Sequence, residues 1–229
     1  GVQARAVKIS DAACVATTPL SPNAAGSIKI NGNEVANNKP LDMFKKGIKN
    51  IPEDRIELVH ADNFRYDEML YPGAQRVSGK VEIHHKGMTL KCDSAVLYQE
   101  SNSFEAMGNV KMTQGDTLTL TSDSVYYDGL EQLAKARRKV RLVHRGRILT
   151  ADSLNYDRIY SKGYYFECGT LKDGNNTLTS DWGEYYTNSR TANFYYAVKL
   201  VNQKFTLTTD TLLYDTQTKW SHVLGPSNI

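Results

Sequence analysis

The feature that most constrains this chain is an aspartate that returns about every thirty residues. It stands at Asp62, Asp93, Asp123, Asp152, Asp181 and Asp210, with spacings of 31, 30, 29, 29 and 29. The neighbours return with it. An aliphatic residue lies three positions before each one (Val59, Leu90, Leu120, Leu149, Leu178, Leu207) and a small residue one position before (Ala61, Cys92, Ser122, Ala151, Ser180, Thr209). Four positions after it stands Tyr66, Leu97, Tyr127, Tyr156, Tyr185 or Tyr214, and a second aspartate follows at Asp67, Asp128, Asp157 and Asp215. A fixed period of this length means stacked supersecondary units, none of which buries a face alone.

The units are read as strands. Copies open with short alternating stretches such as Gly79-Lys-Val81-Glu-Ile83, Gly108-Asn-Val110-Lys-Met112, Lys139-Val140-Arg141-Leu142 and Ala197-Val198-Lys199-Leu200. Period-two alternation is the pattern of a strand with one buried face. Gly87, Gly115, Gly146 and Gly174 then supply hairpin turns. Leucine-rich and ankyrin repeats have similar periods but require a helical half-unit, and only Leu130–Arg138 reads as helical.

The parity of the pattern is sharper still. Before each Asp the apolar or small residues fall at odd offsets; after it they fall at even ones, as in Val125/Tyr127, Leu154/Tyr156 and Leu212/Tyr214. A regular strand cannot change parity without turning its side chains to the other face. The six aspartates are therefore expected to be structural corners, each at a bulge where its carboxylate accepts backbone N–H groups.

The ends differ from the middle. Residues 1–55 lack the repeat and are expected to be mostly irregular, with one short amphipathic helix on Leu41, Phe44 and Ile48. A strand is expected around Ala4–Ile9 or Ser27–Ile30. Residues 56–229 are expected to form the β-repeat domain: six repeats, with a seventh truncated inside its first strand, so the chain is expected to continue beyond Ile229 or to have its last strand completed elsewhere. A leading glycine without methionine is expected of a chain whose export signal has been removed.

Composition narrows the function classes. Hydrophobic content of 40% with 23% charged residues is that of a globular chain. A net charge of +3 is too small to imply nucleic acid. No apolar run approaches the length of a membrane-spanning helix. Cys14, Cys92 and Cys168 are odd in number, fit no zinc spacing and leave at least one thiol unpaired within the chain; a Cys92–Cys168 bridge stays open.

Candidate chemistry is sparse. A calcium ladder on the aspartates would need a glycine-rich nonapeptide that is absent. His84 and His85 are adjacent, so in a strand they face opposite ways and cannot share a metal; His60, His144 and His222 read as strand residues. No nucleophile elbow, phosphate loop or Cys–His set is present. The chain is read as non-enzymatic, without metal or cofactor. Lys139 and Arg141 alternate with Val140 and Leu142 and form either a solvated outer face or an anion stripe; single-stranded nucleic acid would want aromatics beside them, and that stretch has none. Val81, Ile83, Leu90, Val110, Met112, Leu118, Leu120, Val140, Leu142, Leu149, Leu178, Val198, Leu200, Phe205 and Leu207 should line one apolar surface. Whether that surface is a closed core or a lipid groove stays open, because both need the same residues.

The succession Gly79-Lys-Val81-Glu-Ile83, Leu90-Lys-Cys-Asp93-Ser, Phe104-Glu-Ala-Met-Gly108-Asn-Val110 resembles the OstA-like family of Gram-negative envelope proteins. Gln114-Gly-Asp-Thr-Leu118 and Asn176-Thr-Leu-Thr-Ser180 are most similar to its Bacteroides-type members. The family includes the periplasmic lipopolysaccharide carrier and the periplasmic part of its outer-membrane partner. The resemblance implies an all-β, repeat-built, twisted two-sheet antiparallel jellyroll, or β-taco. It implies a carrier module that is periplasmic or associated with the outer membrane. Such a module would shield acyl chains of lipopolysaccharide or a related glycolipid, and would stack through edge strands on other OstA-like domains or on further copies of itself. The alternatives are a structural scaffold that assembles through its edges without lipid and, further behind, an envelope hydrolase or metal-binding protein.

Overall fold

In a computed structural model, residues 54–66 and 73–229 are described. Residues 1–53 lie outside them, and with them the expected N-terminal helix and strands. Among the described residues every regular element is a strand, and all pairing is antiparallel.

Fifteen strands run β1 (Glu57–His60), β2 (Asn63–Tyr66), β3 (Ala74–His85), β4 (Met88–Tyr98), β5 (Ser103–Gln114), β6 (Leu118–Asp128), β7 (Leu133–His144) and β8 (Arg147–Asp157), followed by β9 (Lys162–Tyr165), β10 (Gly169–Asp173), β11 (Asn176–Ser180), β12 (Trp182–Tyr186), β13 (Thr191–Val201), β14 (Thr206–Asp215) and β15 (Ser221–Asn228). Each thirty-residue repeat is one long hairpin. The segment read as helix-compatible is a turn leading into β7.

The parity change at four of the six aspartates has a definite structural cause, and it lies on the neighbouring strand. Ser78 pairs with Ser94 and Val81 with Cys92, so Gly79 and Lys80 together face the single residue Asp93. Gly108 and Asn109 face Asp123 in the same way, Arg138 and Lys139 face Asp152, and Tyr196 and Ala197 face Asp210. All eight facing residues have positive φ, from 46° to 80°. Two residues against one is a β-bulge, which bends its strand and steepens the local twist. Gly79 and Gly108 thus sit in the middle of β3 and β5, whereas the sequence pattern places them at strand starts. The pattern was blind to the strand residues before the glycines, because alternation restarts at the bulge.

These bulges fall in register and form a seam along which one continuous sheet folds into two. The first halves of β3, β5, β7 and β13 pair with the second halves of β4, β6, β8 and β14, and form one wall with β2, β9 and β12. The remaining halves form the other wall with β1, β10 and β11. In the fourth repeat the bend becomes a break: β9 and β10 are the two parts of one strand, β11 and β12 those of the next. The buried residues of both walls join one core. In β6, burial alternates through Leu118, Leu120 and Ser122, then restarts on the other parity at Val125 and Tyr127. The fold is thus a two-sheet antiparallel jellyroll, open in principle along the side opposite the seam.

The seam requires glycine at its tightest points. A Cβ on Gly108, at φ +76°, would stand 2.4 Å from Asp93 Oδ2. Gly87, also at +76°, lies in a hairpin turn where a Cβ meets nothing within 4 Å. Gly87→Ala should therefore cost only the left-handed backbone strain, about 1–2 kcal/mol, while Gly108→Ala should cost distinctly more because Asp93 must also move. Urea unfolding of the two variants measures the difference.

Candidate lipid trough and its laced mouth

The predicted groove residues build one wall of the interior. Val81, Ile83, Leu90, Val110, Met112, Leu118, Leu120, Val140, Leu142, Leu149, Leu178, Val198, Leu200 and Leu207 are each 0–4% exposed and lie on the sheet that carries the ends of β3, β5, β7 and β13. Phe205 does not join them. It precedes β14 in a short turn and is 42% exposed, because Asn202 N–H bonds Phe205 O and closes that turn on the outside. The facing wall is chemically different: Ala95, Ala106, Ala134, Ala136 and Ala192 alternate with Phe104, Tyr127, Tyr156, Tyr185, Phe194 and Tyr214. Small residues beside large rings let branched aliphatics interdigitate from the other side, and in this structure the two walls are packed together.

The corner aspartates lie on the outside of the seam. Asp62 is 3.2 Å from His60, Asp93 accepts 2.8 Å from Asn109 Nδ2, and Asp210 accepts 3.0 Å from Thr211 Oγ1. Asp123 lies 3.7 Å from Arg138 Nε and 3.5 Å from Lys139 Nζ. Asp152 is exposed, and Asp181 accepts the Cys168 N–H through its backbone carbonyl. Backbone N–H groups go to the second aspartate of the repeat instead. Asp128 Oδ1 accepts Leu130 and Glu131, Asp157 Oδ1 accepts Tyr160, and Asp215 Oδ1 accepts Gln217 and Thr218. These carboxylates cap the turns at strand ends, where orphan N–H groups occur. Lys139 and Arg141 are both exposed on β7, with Lys139 drawn toward Asp123.

The long side opposite the seam is laced by polar side chains that sequence reasoning passed over. His85 Nδ1 meets Tyr127 Oη at 2.8 Å, His144 Nδ1 meets Tyr185 Oη at 2.8 Å, and Asp173 Oδ2 accepts from Tyr214 Oη at 3.0 Å. Each pair joins a hairpin tip of one wall to a strand end of the other, 41 or 42 residues away. Arg158, only 7% exposed, spans the mouth with three bonds to neutral oxygens: Nε to Gln114 Oε1 (3.0 Å), Nη1 to Tyr127 Oη (2.7 Å) and Nη2 to Lys86 O (2.7 Å). Arg147 reaches Thr216 O at 2.7 Å and lies 3.2 Å from Asp173, which Lys219 also contacts. The signal was present: His85, Gln114, His144 and Asp173 occupy the same phase of the repeat, eight or nine positions before each Asp, where alternation alone predicts another apolar residue.

The proton positions follow from the donors. Arg158 donates to Tyr127 Oη, so the phenol proton goes to His85 Nδ1, and the imidazole Nε2–H is left to donate to Asp54 O at 3.2 Å. A neutral ring is required, and burial, with Arg158 and Lys86 nearby, holds the His85 pKa below its usual range. Burial, with Arg145, Arg190 and Arg147 around it, brings His144 down to about 4. Burial likewise pushes Tyr214 up to about 12. At Gln114 the lacing skips a step, since Arg158 takes its amide oxygen and Tyr156 turns to Thr187. A polar cavity of about 190 Å³ opens there, lined by Gln114, His144, Arg145, Ser161 and Arg190.

Among the described residues no group of three or more His, Cys, Asp or Glu is gathered as a metal site. Cys92 carries a free, buried thiol, pushed up to about 11 by burial, so the Cys92–Cys168 bridge is not formed.

A repeat-built jellyroll with an apolar interior, a covalent back and a polar front defines a class of two-sheet trough proteins. The model of the family described as OstA-like protein matches residues 53–210, and the chain belongs to that family. Among solved structures, the chain is similar to LptH, the LptA-homologous periplasmic component of the conserved lipopolysaccharide transport device from Pseudomonas aeruginosa. The identity is 17%, the TM-score is 0.41, and the match covers 46% of this chain and 80% of that one. No curated protein sequence matches the chain.

The lacing predicts an acid-sensitive mouth. His144 is neutral when folded and titrates near 4, but near 6.5 when unfolded, so stability is full above pH 6.5 and declines as pH falls from 6.5 toward 4. The loss should reach roughly 2–3 kcal/mol. His144→Gln supplies the residue that the preceding repeat carries, and it should flatten that decline in urea titrations run between pH 7 and 4.

Proposed function

We propose that this chain is a non-enzymatic module of a periplasmic bridge, shielding the acyl chains of lipopolysaccharide or a related glycolipid on their way to the outer membrane. The observation that carries the reading is the interior: an apolar strip continuous from β3 to β14, running across the repeats rather than ending in one pocket. Membership in the OstA-like family supports the same reading. At ~0.8 kcal/mol per buried CH₂, sheltering an acyl chain supplies a large driving force, and near-equivalent repeats give a sliding chain a level path.

The packed state sets a condition on this function. With the inward aliphatics 0–4% exposed, an acyl chain enters only when the walls part. The seam is covalent backbone, whereas the opposite side is held by hydrogen bonds and ion pairs that water can replace. Loading is therefore assigned to the mouth, with Arg158, His85, His144 and Asp173 as its fastenings. Edge strand β15 is bonded to β14 and would dock the next module by strand addition.

A second reading, a scaffold that assembles through its edges with a permanently closed core, is favoured by the same dense packing. Photo-crosslinking residues at Val110 and Leu142, with Lys111 and Arg141 as outward controls, separate the two in living cells, provided the variants retain their β circular dichroism. Lipopolysaccharide adducts confined to the inward positions are expected. Adducts only at the outward positions, or only protein adducts at β15, would favour the scaffold.

A further inference from the structure

The lacing across the mouth has one gap, and the gap is positively charged. His85, His144 and Asp173 each meet a tyrosine of the facing wall. At the same phase Gln114 turns to Arg158 and Tyr156 to Thr187, and the cavity of about 190 Å³ opens between them. Its floor is Leu118 and Tyr156, 4% and 1% exposed, which belong to the two walls of the apolar interior. Its rim is tied by main chain: Arg145 N–H donates to Thr117 O at 3.2 Å and Thr187 N–H to Ser161 O at 2.9 Å.

The cations around the mouth fall into two sets. Lys86 lies 2.8 Å from Asp54, Arg147 lies 3.2 Å from Asp173, and Lys219 also contacts Asp173. The second set has no carboxylate in ion-pair contact among the described residues. Arg145 and Arg190 line the cavity, Arg190 reaching only Gln217 Oε1 at 3.5 Å, and no carboxylate lines it with them. Arg158, beside it, spends its three bonds on neutral oxygens. Because Arg158 Nε–H can only donate, it holds the Gln114 amide oxygen on its own side. The Gln114 NH₂ group is left without an acceptor among the described residues. The His144 imidazole registers this field: after burial, Arg145, Arg190 and Arg147 hold its pKa down to about 4.

Guanidinium charges gathered without a counter-charge repel one another, and the burial of Arg158 adds to the cost; a shared anion removes both. One carboxylate would satisfy one fork. Two forks with hydroxyl and amide donors between them suit the several acceptor oxygens of a phosphate. We infer that this gap is a phosphate-binding site, with Arg145 and Arg190 as its forked donors and Gln114 and Ser161 as its neutral ones. The source of the phosphate rests on the carrier reading: it is the phosphorylated headgroup of the glycolipid. The headgroup is held at the mouth while the acyl chains lie over Leu118 and Tyr156, where the lacing is already open. The site thus sets where along the trough a lipid enters, and it favours phosphorylated lipids over unphosphorylated ones.

The test measures affinities of the full chain for lipid A and for dephosphorylated lipid A, both in the same neutral detergent micelles. Arg145→Gln/Arg190→Gln is compared with a charge-matched pair on the outer face, Lys111→Gln/Lys199→Gln. The unaltered chain should bind the phosphorylated form about tenfold tighter or more. The arginine pair should abolish that preference and leave binding of the dephosphorylated form as it was, while the lysine pair should keep the preference. Equal binding of both forms by the unaltered chain would overturn the site. So would a preference that survives the arginine pair or is lost equally in the lysine pair, or an arginine pair that weakens both forms alike. If neither form binds, inorganic phosphate decides. Saturable ³¹P line broadening by the unaltered chain but not by the arginine pair keeps the phosphate site and refutes its lipid source; broadening by neither, or by both, overturns the site as well.

Discussion

The whole structure depends on breaking the alternation of a strand once per hairpin arm. A regular strand shows alternate side chains to opposite faces and belongs to one sheet. Here two residues face one at Asp93, Asp123, Asp152 and Asp210, the strand bends, and the side chains after the bend return to the same interior from the facing wall. Because the bulges stay in register across neighbours, their bends add into a single seam. A large sheet thereby folds on itself without a loop crossing between its halves.

That constraint divides the molecule into a back and a front with different physics. At the back the walls are joined by main chain, and the close approach of Asp93 to Gly108 leaves no space for a side chain. At the front they are joined by side chains from residues 85 to 219, most of them buried and bonded to neutral partners. Buried polar fastenings of this kind hold a closed state well, yet water satisfies each of them if it is admitted. An apolar interior with one fixed and one releasable side is what a carrier of acyl chains needs. An outer aromatic patch around Trp182 stands apart from this division.

Much of this was legible in the sequence because strands betray themselves by period two and repeats by period thirty. The Asp-centred parity switch located the fold line, and the aliphatic residues at offset minus three located one wall. Three things stayed hidden. A bulge was expected at each aspartate, but its extra residue was not placed on the neighbouring strand, because Arg138-Lys139 and Tyr196-Ala197 adopt a conformation that glycine alone advertises. The second wall was obscured because its alanines and tyrosines read as generic strand residues. The lacing was missed because His85 and His144 were weighed singly as ligands and Asp173 was not weighed at all, although their common phase in the repeat marks a shared structural place. Arg158 had no repeat counterpart to reveal it, since Gly129, Thr187 and Thr216 stand at its position in the other copies.

Residue-resolved hydrogen exchange on the native chain tests the central claim that the back is fixed and the front releasable. The turn amides of Gly129, Arg158, Thr187 and Thr216, each bonded to a carbonyl of the preceding turn, report on the mouth. Val81, Val110 and Val140, immediately after the bulges, report on the seam. The mouth amides should exchange through local openings of far lower free energy than global unfolding, while the seam amides exchange only globally. Exchange of both sets at one common free energy, or earlier at the seam than at the mouth, would contradict the account.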